Sequence, residues 1–171
     1  MPLIRGEKIV NDSFVKLRDD APIPQSGDIL VSSDRFLENA EALLARPGKI
    51  CVVWPNNCDL DRLVPYLSRL GAVALVFPTF RDGRAYSQAR LLRERYAYRG
   101  ELRATGQVLR DQFVFMLRAG FDSFDVEKQS DAQSFAQAVK RYSVFYQPTG
   151  DDRVTALHRR MQLRHSKDMH P

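Results

Sequence analysis

The sequence predicts an α/β fold, with about five strand–helix units forming a parallel sheet flanked by helices. Three observations predict it. Two continuous apolar runs, Lys49 to Trp54 and Ala72 to Phe77, read as strands buried on both faces. Segments whose apolar residues recur at helical spacing alternate with such runs through most of the chain. The connections between them are short and carry Gly, Pro, Asp and Asn. This alternation suits an open, flavodoxin-like sheet or part of a βα-barrel, and periodicity does not choose between the two.

Residues 1–27 read as a small N-terminal β-hairpin and loop, 28–148 as the α/β domain, and 149–171 as a basic, partly disordered tail. Residues 7 to 18 are expected to pair as two short strands around Asn11-Asp12, a hairpin turn signal. A Pro-containing loop follows, and Asp28 to Val31 is a short strand. Ser33 is the expected cap of a helix carrying Phe36, Leu37, Ala40, Leu43 and Leu44, which Pro47-Gly48 stops. After the strand Lys49 to Trp54, Asp59 caps a second helix that packs through Leu60, Leu63, Val64, Leu67 and Leu70, with Pro65 inside it as a potential kink. The strand Ala72 to Phe77 leads into residues 80–125, the stretch around which the chain is organised.

Asp82 is a suitable N-cap for a helix whose buried stripe is Ala85, Ala89, Leu92 and Tyr96. Glu101 to Ala104 is a short strand. Thr105-Gly106 opens a helix carrying Val108, Leu109, Phe113, Met116 and Leu117, and Gly120 suits the position just past its end. Phe121 to Val126 is the next strand. A helix through Phe135, Ala136, Val139 and Tyr142, a strand at Val144 to Tyr146 and a terminal helix with Val154, Leu157 and Met161 complete the expectation.

Composition narrows the chemistry. No apolar run reaches the roughly 18 residues needed to span a bilayer, and MPLIRGEKIV lacks the apolar core and cleavage site of a signal peptide, so a cytoplasmic protein is expected. Cys51 and Cys58 form no CxxC pair and have no nearby His, so no zinc site is expected. All three histidines, His158, His165 and His170, fall in the tail, which argues against a Ser-His or Cys-His nucleophile in the core. Between residues 81 and 118 nine arginines exceed the acidic residues by five, as large as the net charge of +5 for the whole chain. Arg-rich balance suits bidentate recognition of oxyanions. A nucleic-acid platform would want a basic patch interleaved with exposed aromatics, whereas the aromatics here mostly follow apolar periodicity, so nucleic-acid binding is not favoured.

Ligands bind at the carboxyl ends of parallel strands. That rule gathers the loops at Pro55-Asn56-Asn57, Phe80 to Arg84, Thr105-Gly106-Gln107 and Asp125-Val126-Glu127 on one edge. Asp82, Gly83, Arg84, Arg103, Thr105, Gly106, Arg110, Asp111 and Gln112 are the candidate residues of an anion- or partner-binding site there, with two helix N-termini aimed at it. Seven of the nine have a structural alternative. Asp82 caps a helix, Gly83 and Gly106 permit turns, Arg84 is a solvated first-turn side chain, Arg103 pairs with Asp82 or Asp111, and Asp111 and Gln112 contact a neighbouring loop. No GxGxxG and no Walker-type GxxxxGK[ST] occurs, and the sequence names no cofactor and no catalytic residue.

In the DGR at Asp82-Gly83-Arg84, the GELRA at Gly100 to Ala104, the VLRDQ at Val108 to Gln112 and the GFD at Gly120 to Asp122, the chain resembles the bacterial domain of unknown function 934 family over roughly residues 28 to 146. Gln107 departs from the pattern, which often has Asp after the glycine that is Gly106 here. The resemblance implies a neighbourhood of assimilatory sulfite reductase genes, and with it an accessory role in sulfate and sulfite reduction, with the reductase or its electron donor as partner. An oxidoreductase is the alternative the family label implies. A third reading is a binding module whose tail (Arg159, Arg160, Arg164, Lys167) docks an acidic partner.

Overall fold

The structure, a computed structural model, describes residues 2–6, 8–126, 133–134, 155–156 and 158–161. Eight strands form one mixed sheet: β1 (Leu3–Arg5), β2 (Lys8–Val10), β3 (Val15–Lys16), β4 (Ile29–Ser32), β5 (Ile50–Trp54), β6 (Ala72–Phe77), β7 (Glu101–Gly106) and β8 (Ser123–Asp125). Their spatial order is β2-β1-β8-β7-β6-β5-β4-β3. Strands β3 to β8 run parallel to one another, and β1 is antiparallel to both β2 and β8.

The sheet curls into a half-barrel, and chain length explains why. Four residues, Asn11 to Phe14, join β2 at one edge to β3 at the other. Extended chain covers at most ~3.6 Å per residue, so this link spans less than about 18 Å. A flat sheet of eight strands spaced ~4.8 Å apart would separate those edges by roughly 34 Å. The link therefore acts as a strap that holds the edges together.

Parallel strands in sequential order send all their connections over one face. That face carries Ile29, Val31, Val52, Trp54, Val73, Leu75, Phe77, Leu102, Ala104 and Phe124, packed in one cluster with Phe36, Leu63, Ala85, Leu92 and Met116 of the helices and turns. Among the described residues, no helix covers the opposite, concave face. Its side chains fall in rows fixed by the register. Leu30, Cys51, Ala72 and Glu101 form the lower row, Ser32, Val53, Ala74, Arg103, Ser123 and Arg5 the middle one, and Val76 and Thr105 lie above. Phe14 of the strap packs on Cys51, Ala72 and Ala74 and fills the lower part of the concavity.

Several expectations are corrected. The sheet is not purely parallel, and five strand–helix units do not describe it. The N-terminal hairpin is β1–β2, turning at Gly6 with φ +60°, not a pair around Asn11-Asp12. A two-residue turn at Asn11-Asp12 would have left β3 off the far edge that it completes. The segment after β5 is two 3-10 turns, Leu60–Arg62 and Val64–Arg69, not an α-helix. Pro65 has no N–H to give an α-helical ladder and sits in the first turn of the second piece, where none is needed. The helix expected from Thr105 starts later. β7 runs to Gly106, a 3-10 turn covers Arg110–Gln112, and α3 is Phe113–Arg118.

Other expectations stand with shifted bounds. Helix α1 is Ser33–Ala45, capped by Ser32, whose Oγ accepts the Arg35 N–H at 3.4 Å. Helix α2, Arg84–Arg90, continues as a wider π-helical turn, Leu91–Arg95. The sequence-read elements at 131–146 and most of the terminal helix lie outside the described residues. No helix among the described residues is long and apolar enough to cross a membrane.

Candidate functional site

Above Phe14 the concave face is open and forms a cavity of about 760 Å³. Leu30, Ser32, Val53 and Ala74 of β4 to β6 form one wall, Arg103, Thr105 and Asp125 of β7 and β8 the other. Residues 16–20, after β3, form the rim. Small residues at Ala72 and Ala74 make the space, since larger side chains there would meet Phe14. The rim is built against α1. The Arg35 guanidinium donates to the carbonyls of Arg18 and Ala21, and Ser32 Oγ donates to Asp19 Oδ1 at 2.6 Å.

At the centre lies Arg103, 0% exposed. Its Nη1 and Nη2 donate to the two oxygens of Asp12 at 2.6 and 3.0 Å. Its Nε and Nη2 also donate to Glu101 Oε1, at 3.3 and 3.2 Å, and its guanidinium lies 5.4 Å from the Phe14 ring centre. Glu101 in turn accepts from Arg5 at 2.5 Å and from Ser123 Oγ at 2.6 Å. A buried guanidinium needs this pairing, because an unpaired charge out of water is costly. Burial works against the charge of Arg103, but the hydrogen bonds to Asp12 and the surrounding carboxylates outweigh it and hold its pKa well above the ordinary value.

The two aspartates beside it are held in opposite directions. Burial raises the pKa of Asp12, but the Arg103 fork and the Phe14 N–H, which donates to Asp12 Oδ1 at 3.1 Å, bring it below the ordinary value. For Asp125 burial wins. Its pKa is raised despite the Arg103 charge and a hydrogen bond with Thr105. Asp125 Oδ1 is 3.9 Å from Arg103 Nη1, in ionic contact but beyond hydrogen-bond length. This carboxyl therefore retains hydrogen-bonding capacity toward the cavity.

The residues expected from sequence do not share one pocket. Arg103 and Thr105 line the concave cavity. Asp82, Gly83 and Arg84 lie in the loop after β6 and the start of α2. There Arg84 pairs with Asp82, Nη2 to Oδ2 at 2.6 Å, and these hydrogen bonds push the Asp82 pKa far below the ordinary range. Arg84 lines a second groove with Asn56, Cys58, Gln88 and Tyr96. Asp111 and Gln112 line a third with Tyr86, Arg90 and Phe115. Gln112 Nε2 donates to the Phe80 carbonyl at 3.0 Å, the neighbouring-loop contact expected of it. Arg110 is exposed. Gly106, at φ +92°, lies where a Cβ would stand 2.4 Å from the Phe77 carbonyl oxygen. Arg103 pairs with neither Asp82 nor Asp111, because β7 points it to the concave face and their loops sit elsewhere. The helix starts at Arg84 and Phe113 do not converge on a common pocket.

Much of the arginine excess is structural. Arg93 donates to the carbonyls of Gly120, Tyr98 and Gly100 at 3.0, 2.6 and 2.9 Å and pairs with Asp122. Outside residues 81–118, Arg46 likewise donates to the Pro24 and Gly27 carbonyls.

Asp12, Phe14 and Glu101 are the site residues that sequence reasoning missed; Asp125 lay in a loop placed on the ligand edge but was not among the candidate residues. The available signal was alternation. In Glu101 to Thr105 polar residues alternate with Leu102 and Ala104, and in Ser123 to Val126 with Phe124 and Val126. A strand covered on both faces would not read that way. Cys51 lies under Phe14, where burial pushes its thiol up to about 12. Among the described residues, no group of three or more His, Cys, Asp or Glu side chains is placed to hold a metal ion.

The family described as "Bacterial protein of unknown function (DUF934)" matches residues 51–157. No curated protein matches the chain. With more than half its length matched, the chain belongs to the DUF934 family.

Proposed function

We propose that this member of the DUF934 family is a small-molecule-binding protein whose ligand sits in the concavity of the half-barrel. One observation carries the reading. A cavity of about 760 Å³, walled by Leu30, Val53 and Ala74, has at its centre a cluster of one arginine and three carboxylates. Its size lies within the range of small-molecule sites, and an apolar wall with a few convergent polar groups is their usual make-up. It occupies the upper part of the concavity, where parallel strands present ligands.

The accessory role in assimilatory sulfite reduction, implied by the family resemblance, supplies the physiological half of this proposal. The test is genetic and structural at once. A deletion strain is grown on sulfate, sulfite, sulfide or cysteine and complemented with wild type or with Val53→Trp, which places an indole in the cavity. Failure on sulfate and sulfite, restored by wild type and not by a folded Val53→Trp protein, is the expected result. Equal complementation by both would remove the cavity from the function. Normal growth of the deletion strain on all four would remove the pathway.

A second reading, docking to sulfite reductase or its electron donor, is favoured by one surface feature. Phe115 on α3 is 68% exposed beside the groove formed with Tyr86, Arg90 and Gln112. Phe115→Glu abolishes co-elution with the reductase if that face docks. The oxidoreductase alternative would use the same concavity, because sequential strand order leaves no switch-point crevice between β4 and β8.

A further inference from the structure

Resting on the reading of the concavity as a ligand site, we infer that its ligand is a compact organic cation, an amine- or amidine-like head on an apolar body, with the head received by Asp125. The first ground is that Arg103 is already occupied. All three of its nitrogens donate to Asp12 or Glu101, and its side chain is 0% exposed. An anion would have to displace a carboxylate from a buried, bidentate pair to reach it. The arginine thus serves as the support of the site and does not present an anion-binding fork.

The second ground is which carboxylate no guanidinium binds directly. Arg103 and Arg5 meet Asp12 and Glu101 through direct hydrogen bonds. Asp125, the third carboxylate of the cluster, has a hydrogen bond with Thr105 and meets Arg103 only at the longer 3.9 Å. It lines the cavity and its side chain is 16% exposed. Asp125 is therefore the carboxylate of the cluster that no guanidinium holds by a direct hydrogen bond, and it faces the cavity, where a ligand could supply a cationic donor. Thr105 beside it fixes the carboxyl, so its orientation need not be organised on binding.

The third ground is the wall. Leu30, Val53 and Ala74 offer an apolar surface opposite Asp125, which favours a flat, apolar body over a fully hydrated one. A charge-assisted hydrogen bond to a carboxylate in such a partly dry setting is among the stronger ones available.

Three probes of similar size and different charge test this by titration calorimetry and by amide chemical-shift changes on the full chain: benzamidine, benzoate and benzyl alcohol. Benzamidine is expected to bind best, and Asp125→Asn to weaken it about tenfold or more while leaving benzyl alcohol unchanged. Val53→Trp should abolish binding of both. In wild type, benzamidine binding should strengthen as the pH rises through the titration of Asp125, since benzamidine stays cationic throughout. That titration is set against Arg103, Glu101, Thr105, Asp12 and the α-amino group, the charged and polar groups around Asp125. This measurement needs no variant. Stronger binding of benzoate, or undiminished benzamidine binding by folded Asp125→Asn, would overturn the inference and leave the cavity as a site. Benzyl alcohol binding alone would do the same. If none of the three binds, the inference and the ligand-site reading fall together.

Discussion

Asp12 and Arg103, 91 residues apart, form a two-point ion pair that ties the strap to the middle of the sheet. The pair does two jobs with one contact. It neutralises a guanidinium that β7 turns into the concavity, and it holds Phe14, two residues further on, over Cys51 and Ala74. The strap that makes the sheet curl is thus anchored by the residue at the centre of the candidate site.

Arg103→Met tests this anchor. It leaves Asp12 and Glu101 facing each other without their cation. Removing one member of a buried pair costs about 3–5 kcal/mol. Asp12 keeps some access to water, its side chain being 30% exposed, so a loss of about 3 kcal/mol in urea unfolding is expected. Asp12→Asn should lose less, about 1–2 kcal/mol, because the amide oxygen can still accept. The double variant should lose clearly less than the sum, as residues in direct contact do. Additive losses would show that the pair does not hold the strap.

Stability against pH should separate the two aspartates. The folded pKa of Asp12 lies below its unfolded value. Its contribution is therefore present above the ordinary carboxylate value, about 3.9, and disappears as pH falls through the lowered folded value. Asp125 has a raised folded pKa, so its contribution is present below the unfolded value and is lost as pH rises through the folded one. Asp125→Asn should then match or exceed wild type in Tm at neutral pH and lose that advantage in acid. Asp12→Asn should fall below wild type at neutral pH and converge with it in acid. The check is a series of thermal melts from neutral to acid pH, and parallel profiles for the two variants would refute the assignment.

The two glycines singled out in the sequence should respond differently to alanine. At Gly106 the backbone is left-handed and the new Cβ would meet the Phe77 carbonyl oxygen at 2.4 Å. Gly106→Ala is expected to cost about 1–3 kcal/mol. At Gly83 φ is −82° and the nearest atom, on the Tyr86 ring, is 3.8 Å away. Gly83→Ala should stay within about 0.5 kcal/mol of wild type. Chemical denaturation of both variants decides this.

The thiols offer a probe of the strap. Cys51 is buried with its pKa pushed up to about 12, while Cys58 is partly exposed in the groove beside Arg84. A thiol reagent such as dithionitrobenzoate should label Cys58 in the native protein and Cys51 only on unfolding. Phe14→Ala removes the ring that covers Cys51 and should speed its labelling. Fast labelling of both thiols in wild type would mean that the concave face opens readily.

Local sequence was a fair guide wherever local physics decides. The apolar runs of β5 and β6, the stripe Ala85-Ala89-Leu92 and the glycine after α3 were all legible, whereas the cap position read at Asp82 falls to Gly83, with Asp82 one residue before it accepting the Arg84 N–H. Each depends on neighbours within a few residues. The bounds of the Leu60–Arg69 segment were not, because its apolar spacing fits a helix while Pro65 and a short connection favour tighter 3-10 turns.

The candidate site was legible only in part. Arg103 and Thr105 were read from their place in a strand near its carboxyl end, and both line the cavity. Asp12 and Phe14 carried no such mark, since only the crossing of the strap brings them under β7. The arginine concentration pointed to an anion edge, yet Arg93 uses its fork on backbone carbonyls and Arg84 and Arg90 pair with Asp82 and Glu94. Counting charges along a chain does not tell which ones find partners inside it.

By itself the sequence determined the local elements: which runs bury, where turns interrupt them and which residue types are at hand. The tertiary structure alone decided the curvature, the open concave face and the company of Arg103. The reason is physical. Periodicity records only how one element meets its own neighbours, whereas a strap too short for a flat sheet acts between strands at opposite edges, and that long-range constraint makes the site.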